Sequence, residues 1–205
     1  DAMATAVTPS REPMSDGQLD KLVDIFRAAL RKARAGLDTK ATQQVLEMSD
    51  LGAELVALVR TRIEAVSELI VRVVKVDRSR TSKQALDATV HTQYVSDAVV
   101  KSMPKGEGEE VEVVFFKLGR YVSDDELEKE YALRGLKPAD AYSLAQVNAD
   151  DPAFSDEHPN STHWRNDKGQ WCYAFFSGWD GERRVRVNQF DDGWFDIWWF
   201  AGVRK

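Results

Sequence analysis

The tryptophans of this 205-residue chain all lie near its C-terminus, the six of them at position 164 or later. Large aromatic side chains favour strands and need a core that buries them. By contrast, residues 15–69 contain a single aromatic residue and no proline. This division predicts a helical N-terminal part and a C-terminal part dominated by β-hairpins.

The N-terminal part carries the apolar spacing of helices. Ser15 followed by Gln18 is typical of a capping box, Gly36 suits a helix end, and Asp38 or Thr39 could cap a second helix. We therefore predict two antiparallel helices, or two helices of a bundle. The apolar positions recur at steps of three and four, at Leu19, Leu22, Phe26, Ala29 and Ala33 and then at Val45, Met48, Gly52, Leu55, Val59, Val66 and Leu69.

This apolar stripe has two interpretations. It could pack on the rest of the chain, or it could form a short coiled coil through which the protein self-associates. Gly52 and Arg62 interrupt the repeat, so the sequence leaves both interpretations open.

The middle of the chain alternates between strand and helix patterns. The stretch "LIVRVVKV" predicts a strand, "SKQALDATVHTQYVSDAVVKSM" a helix capped by Ser82, and "EVEVVFFKLGRYV" a central strand. Ser123 begins a helix, and a turn near Gly135 and Pro138 leads to a second short helix. The stretch "ADDPAFSDEHPNSTHW" is predicted to be irregular. Strands then close the chain, and the first strand is expected to pair with the last, in an α+β fold.

Three regions follow from these patterns. Residues 1–14 are interpreted as a disordered tail or a remnant of cloning, residues 15–67 as an N-terminal helical hairpin, and residues 68–205 as one α+β domain.

Charge and hydropathy exclude several partners. The net charge is −6 and there is no basic block, which argues against nucleic acid as a ligand. No apolar run approaches the length of about 18 residues that a bilayer requires, and no signal peptide is visible. We expect a soluble protein without direct membrane insertion.

Catalytic and metal-binding motifs are not evident in the sequence. Cys172 is the only cysteine, so it has no intrachain disulfide partner, and we interpret it as a small buried hydrophobe. His158 and His163 lie near Asp156 and Glu157, which would suit a divalent ion, but turn-rich loops more often use such side chains for local hydrogen bonds. We predict no metal and no cofactor. A run of carboxylates is interpreted as the solvated face of a helix start, at Asp124, Asp125, Glu126, Glu128 and Glu130.

The final stretch, "WCYAFFSGWDGERRVRVNQFDDGWFDIWWFAGVRK", spans residues 171–205 and resembles the variable region of diversity-generating retroelement variable proteins. These proteins have a C-type lectin-like fold and are often encoded by phages, plasmids and small-genome microbes. An error-prone reverse transcriptase copies a template repeat, mutates its adenines and replaces the variable region with the copy. Adenine-rich asparagine codons scatter into many residues, whereas codons without adenine stay constant.

The resemblance assigns two roles within this region. The scaffold would be Trp171, Cys172, Phe176, Trp179, Val185, Val187, Trp194, Trp198, Trp199, Phe200, Ala201, Gly202 and Val203. The variable positions, reachable from asparagine or aspartate codons, would be Ser177, Asp180, Gly181, Arg184, Arg186, Asn188, Phe190, Asp192, Gly193, Phe195 and Ile197. Gly178 and Gln189 would derive from an arginine codon.

Strand alternation supports these roles, because it puts Arg184, Arg186 and Asn188 on one face and Val185 and Val187 on the other. An ordinary hairpin with a polar outer face would account for the arginines and Asn188.

The apolar variable residues are less easily explained by an ordinary hairpin. If Phe190, Phe195 and Ile197 are exposed together, they form an apolar patch of the kind that marks a binding site. Phe190 and Phe195, with Arg184 and Arg186, would be the anchors, and Ile197 would support them.

The expected function is therefore ligand binding without catalysis. A hypervariable C-terminal face would recognise a macromolecular ligand, most plausibly a protein. One alternative is an oligomeric structural or assembly protein with a lectin-like module. A less favoured alternative is an enzyme related to the formylglycine-generating enzymes, whose chemistry uses paired cysteines that this chain lacks.

Overall fold

The computed structural model describes residues 14–67, 69–189 and 193–205. Contacts divide the chain into a helical unit that ends at Glu64 and a second unit that begins at Ala65. The expected N-terminal tail lies almost wholly outside the described residues. The helices are α1 (Asp16–Ala33), α2 (Thr39–Leu46), α3 (Leu51–Val66), α4 (Ser82–Asp87), α5 (Asp97–Lys101), α6 (Asp124–Leu133), α7 (Ala141–Asp150) and α8 (Phe154–Glu157). The strands are β1 (Ile70–Lys75), β2 (Thr92–Val95), β3 (Glu110–Lys117), β4 (Leu136–Pro138), β5 (Asn160–Arg165), β6 (Trp171–Trp179), β7 (Glu182–Gln189) and β8 (Trp199–Arg204).

The helical unit begins with the predicted capping box. The Gln18 backbone N–H donates to Ser15 Oγ, and the Ser15 N–H donates to Gln18 Oε1. The Asp38 carboxylate caps α2 by accepting from the Ala41 N–H at 2.7 Å.

The predicted second helix is divided in two, because α2 ends at Leu46 and α3 begins only at Leu51. Ser49 and Asp50 occupy the break, and side chains of this kind compete for backbone hydrogen bonds and favour turns over helix interiors.

The second unit is built on one mixed sheet with the strand order β1-β3-β8-β5-β6-β7-β2, and β4 also pairs with β8. The α+β class predicted from the sequence is therefore confirmed. The expected pairing of the first strand with the last is wrong: β1 pairs antiparallel with β3 from Ile70–Phe115 to Lys75–Glu110. Strand β8 lies on the other side of β3, between β3 and β5.

A hydrophobic core covers each face of the sheet. Alternation along β3 sends Val113 and Phe115 into one core and Val114 and Phe116 into the other. This two-sided burial explains the continuous apolar run of β3 and confirms that it is a central strand. The first core is covered by α4, α5 and α7, and the second by Leu127 and Tyr131 of α6 together with Trp194.

The single helix predicted over residues 82–103 is wrong. Helix α4 has only six residues, its N-cap is Thr81 rather than Ser82, and Val90 has a positive φ of 57°. Thr92–Val95 then forms β2, which pairs in parallel with β7. The β-branched and aromatic residues of this stretch favour a strand, and they form one because the edge of β7 is available for pairing.

The stretch predicted to be irregular contains α8 and the buried strand β5. In this strand Asn160, Ser161, Thr162 and His163 are all buried although they are polar. A buried strand made of polar residues lacks the apolar alternation by which a strand is recognised in sequence. Within the described part of the chain, no helix is long and apolar enough to cross a membrane.

Candidate functional site: an exposed hairpin face

The hairpin of β6 and β7 separates buried from exposed residues by strand alternation. One side sends Cys172, Phe176, Val185 and Val187 into the first core. The other side carries four of the expected variable residues, which are exposed or half-buried. These four are Ser177, Arg184, Arg186 and Asn188. The predicted separation of Arg184, Arg186 and Asn188 from Val185 and Val187 is confirmed.

The register of the strands joins these residues into one surface. Ser177 lies opposite Arg184, Phe175 opposite Arg186, and Tyr173 opposite Asn188. Strand β2 extends the surface outward, with Thr92 beside Arg184 and Tyr94 beside Arg186. We call this surface the hairpin face; it consists of Thr92, Tyr94, Tyr173, Phe175, Ser177, Trp179, Arg184, Arg186 and Asn188, of which Phe175 is buried and the others are exposed or half-buried.

Residues 193–198 border the hairpin face. Trp194 is fully buried, and the ring of Trp198 packs on Phe175 with 3.6 Å between centroids. Phe195 and Ile197 remain exposed, the former to 57%. The Phe195 ring also contacts that of Tyr121, at 5.8 Å between centroids. The segment thus places two apolar side chains in solvent beside a buried tryptophan.

The five expected scaffold tryptophans have different environments. Trp194 is buried in the second core. Trp198 is half-buried against the same core, and Trp199 is half-buried against the first core. Trp171 is half-buried and stacks on His163 at 4.5 Å. Trp179 does not belong to the core, because 66% of it is exposed at the end of β6. Its alternation with Ser177 and Phe175 places it on the hairpin face instead.

Two expected variable glycines are constrained by their neighbours. Gly193 is buried and has a φ of +76°, and a Cβ there would overlap the Tyr121 hydroxyl. A Cβ at Gly178 would overlap the carboxylate of Asp156. Neither position has room for the scatter of residues that a variable codon produces.

The remaining expected variable positions fall in three places. Asp180 and Gly181 form the exposed hairpin turn, both with positive φ. Gln189 lies on the opposite side of β7 from Asn188 and donates to Gln170. Phe190 and Asp192 lie outside the described residues, so the expected role of Phe190 as an anchor and that of Asp192 as a variable position stay predictions.

Polar contacts of the hairpin face hold Arg184 and Asn188 in place. Arg184 Nε donates to Glu182 Oε2 at 2.6 Å, and this hydrogen bond lowers the pKa of the Glu182 carboxyl. The Arg184 guanidinium also lies 5.9 Å from the centre of the Tyr94 ring. Asn188 Nδ2 donates to the Tyr94 carbonyl at 3.0 Å. The face therefore combines aromatic rings with one positioned cation, Arg184, and an exposed second one, Arg186; aromatic and arginine side chains are typical of protein-binding hot spots.

His163 is buried, and both of its ring nitrogens are hydrogen-bonded to carboxylates. It lies between two carboxylates of α6, with Nδ1 at 2.8 Å from Asp124 Oδ1 and Nε2 at 2.8 Å from Glu128 Oε1. Asp124 is buried, so the expectation of a uniformly solvated acidic helix face is wrong for this residue. His158 instead stacks on Phe154 at 4.8 Å. Among the described residues, no group of three or more His, Cys, Asp or Glu could hold a metal ion.

Cys172 is buried, as expected, and burial raises the pKa of its thiol. A thiol with a raised pKa is a poor nucleophile at neutral pH.

No family model matches the chain, and no curated protein or solved structure shows significant similarity to it.

Sequence reasoning missed part of this surface. The sequence pattern predicts a helix at Tyr94, whereas Thr92 and Tyr94 join the hairpin face through the parallel pairing of β2 with β7. The position of Trp179 on the hairpin face could have been found, because the period of two along β6 places it on the same side as Tyr173 and Ser177, although Phe175 on that side is buried.

Proposed function

We propose that this chain is a ligand-binding display protein of the diversity-generating retroelement kind, with a C-type lectin-like fold, whose hairpin face recognises a protein ligand. The observation that supports the proposal is the separation across β6 and β7. Residues with adenine-free codons in the family pattern, such as Cys172 and Phe176, are buried, and Ser177, Arg184, Arg186 and Asn188 share the exposed side. A surface can vary freely only if its residues do not contribute to the core.

The chemistry of the hairpin face favours a protein ligand. Trp179 and Tyr94 on the face, and Phe195 in the segment that borders it, are exposed aromatics, and aromatic and arginine side chains dominate binding energy at protein interfaces. Most of these side chains are held on strands, so they lose little freedom on binding. The net charge of −6 disfavours a phosphate backbone as the ligand.

The genomic test is sequencing of the gene and its neighbourhood in related isolates. We expect a template repeat and a reverse transcriptase gene nearby, with substitutions at adenines of the template. The substitutions should fall in the codons of Ser177, Arg184, Arg186, Asn188, Phe195 and Ile197. Substitutions spread equally over the codons of Cys172, Val185 and Val187 would contradict the proposal.

The binding test starts from a screen of the purified chain against a panel of host surface proteins. For a ligand found in this way, Trp179→Ala and Phe195→Ala should each weaken binding by about 1–4 kcal/mol without changing the melting temperature. Gln189→Ala, on the opposite side of the hairpin, is the matched control and should leave affinity unchanged. Unchanged affinity of the ligand for both aromatic variants would show that the ligand does not bind the hairpin face.

A role in assembly is the second candidate function. The helical unit exposes much of its apolar stripe, including Leu19, Met48 and Leu55, and this observation favours association of the helices with a further protein surface. Assembly and display are compatible, since they use different units of the chain.

A further inference from the structure

The helical unit leaves its apolar side chains uncovered. Neither α1 nor α2, both described over their full lengths, has a buried residue. Soluble proteins rarely expose contiguous apolar patches of this kind unless another surface binds them. The stripe predicted from the sequence is therefore present, but the described residues do not bury it.

Exposed and half-buried side chains form a groove between α1 and α3. Its volume is about 690 Å³ and its lining is almost entirely apolar. Residues of the α1 wall include Leu19, Val23, Phe26 and Leu30, and residues of the α3 wall include Leu55 and Val59. Two helices that share an apolar groove offer a site into which a third helix can pack.

The order of charges along α1 identifies the helix that fits. Its first half contains Asp16, Asp20 and Asp24, with Lys21 as the only basic residue, and its second half contains Arg27, Arg31 and Lys32 with no acidic residue. A second α1 helix in antiparallel orientation places each acidic half against a basic half. A parallel orientation places like charges together, which is unfavourable.

The apolar residues fit the same arrangement. An antiparallel pair centred between Asp24 and Ile25, the midpoint of α1, places Leu19 against Leu30 of the second copy. It also places Val23 against Phe26 of the second copy. All four of these residues line the groove. The helix is 18 residues long, so the contact would extend over about 27 Å.

We infer that the groove between α1 and α3 binds the same groove of a second copy of this chain, with the two α1 helices antiparallel about a two-fold axis. Such an interface is self-complementary, as in most dimers. The inference rests on the helical unit alone and stands independently of the ligand of the hairpin face. A dimer would carry two hairpin faces, and two linked sites can bind a multivalent surface more tightly than one.

The first experiment measures the mass of the full chain in solution. Sedimentation equilibrium should give a dimer, with twice the 23.1 kDa mass of one chain. Leu30→Gln and Val56→Gln, in the groove, should raise the dimer dissociation constant at least tenfold. The matched controls are Ile25→Gln and Leu58→Gln, because these residues are similarly exposed (56% and 52%, against 60% for Leu30 and 58% for Val56) but do not line the groove.

Each outcome of this experiment supports or overturns the inference. A monomeric parent chain would overturn it, and the groove would then be covered by another part of the chain or by a different protein. Equal effects of groove and control variants would overturn it as well. Helix content by circular dichroism identifies any variant that fails to fold, and the second groove variant then decides.

The second experiment tests the orientation by disulfide cross-linking. Cys172 is buried, so a cysteine introduced at an exposed position of α1 provides the reactive thiol. A mixture of Leu19→Cys and Leu30→Cys chains should give a cross-linked dimer, and neither chain alone should do so. Cross-linking of each chain with itself, with no cross-linked dimer that contains one chain of each kind, would indicate parallel helices and contradict the inference.

Discussion

Trp194 donates a hydrogen bond from its indole Nε1 to Asp124 Oδ1, at 3.0 Å, and so joins the border of the hairpin face to the start of α6. The same oxygen accepts from His163 Nδ1, while Glu128 accepts from the other nitrogen of that ring. The exposed Phe195 follows directly after this buried anchor. A fixed tryptophan can therefore hold the backbone while its exposed neighbour changes.

The anchoring role of Trp194 predicts that two tryptophan substitutions lower the free energy of unfolding by very different amounts. Trp194→Ala removes a fully buried indole and should lower the free energy of unfolding by about 3–5 kcal/mol. Trp179→Ala removes a mostly exposed one and should change it by no more than about 0.5 kcal/mol. Urea denaturation of both variants and the parent provides the measurement. Similar losses in the two variants would show that Trp179 is structural.

Two glycines with the same backbone conformation should respond differently to asparagine. Gly181 and Gly193 both have a φ of +76°, which asparagine tolerates better than most residues, but a Cβ has open space only at Gly181. Gly181→Asn should cost less than about 1 kcal/mol of stability, and Gly193→Asn about 2 kcal/mol or more. Thermal melts of the two variants test this difference. Equal melting temperatures would mean that Tyr121 moves aside without cost.

The environment of His163 makes stability depend on pH. Burial lowers the pKa of His163, but the hydrogen bonds to Asp124 and Glu128 outweigh it, so the pKa is raised above 6.5. A raised folded-state pKa gives stability that is fully present below the unfolded-state value and is lost as pH rises through the folded-state value. The free energy of unfolding of the parent, relative to that of His163→Gln, should therefore fall as pH rises above about 6.5.

At acid pH, Glu128 makes the free energy of unfolding depend on pH in the opposite sense, so that stability falls as pH falls. Its hydrogen bond with His163 holds the pKa of the Glu128 carboxyl below 4.5, so its contribution to stability is present above that pH and is lost as pH falls through the folded-state pKa.

Urea denaturation of the parent and His163→Gln between about pH 5.5 and 9 measures the contribution of His163 alone, because Glu128 stays ionised over this range. If the free energy of unfolding of the parent, minus that of His163→Gln, instead grows as pH rises, the raised pKa of His163 is refuted.

The hairpin face should tolerate joint replacement. Asparagine at Asp180, Arg184, Arg186, Phe195 and Ile197 together should leave a folded chain, because surface substitutions usually change stability by about 0.5 kcal/mol or less each. Asparagine at Val185 and Val187, buried on the other side of β7, is the control and should unfold the domain. Circular dichroism and a urea titration distinguish the two results. An unfolded five-fold variant would assign these residues to the structure rather than to binding.

The second unit should fold without the helices. Both buried clusters consist of residues from Leu69 onward. A fragment of residues 65–205 should therefore show a cooperative urea transition and dispersed amide resonances. A fragment that remains unfolded would indicate that the helical unit completes its core.

Local patterns along the chain were sufficient to predict several elements. The capping box at Ser15, the helix start at Ser123, the cap at Asp38 and the β6–β7 alternation depend on residues within a few positions of each other. The two-sided burial of β3 was visible because both of its faces are apolar.

What the sequence by itself determined was therefore which side of β7 is buried, that both faces of β3 are buried, and where several helices begin, because side-chain periodicity and capping are local properties. Only the tertiary structure decided that β1 pairs with β3, that Tyr94 joins the hairpin face, that polar β5 is buried and that Gly193 has no room for a side chain. These outcomes depend on groups distant in sequence, such as Tyr121 beside Gly193 and β7 beside β2. Strand pairing, burial of polar groups and steric overlap depend on neighbours in space, which no local pattern specifies.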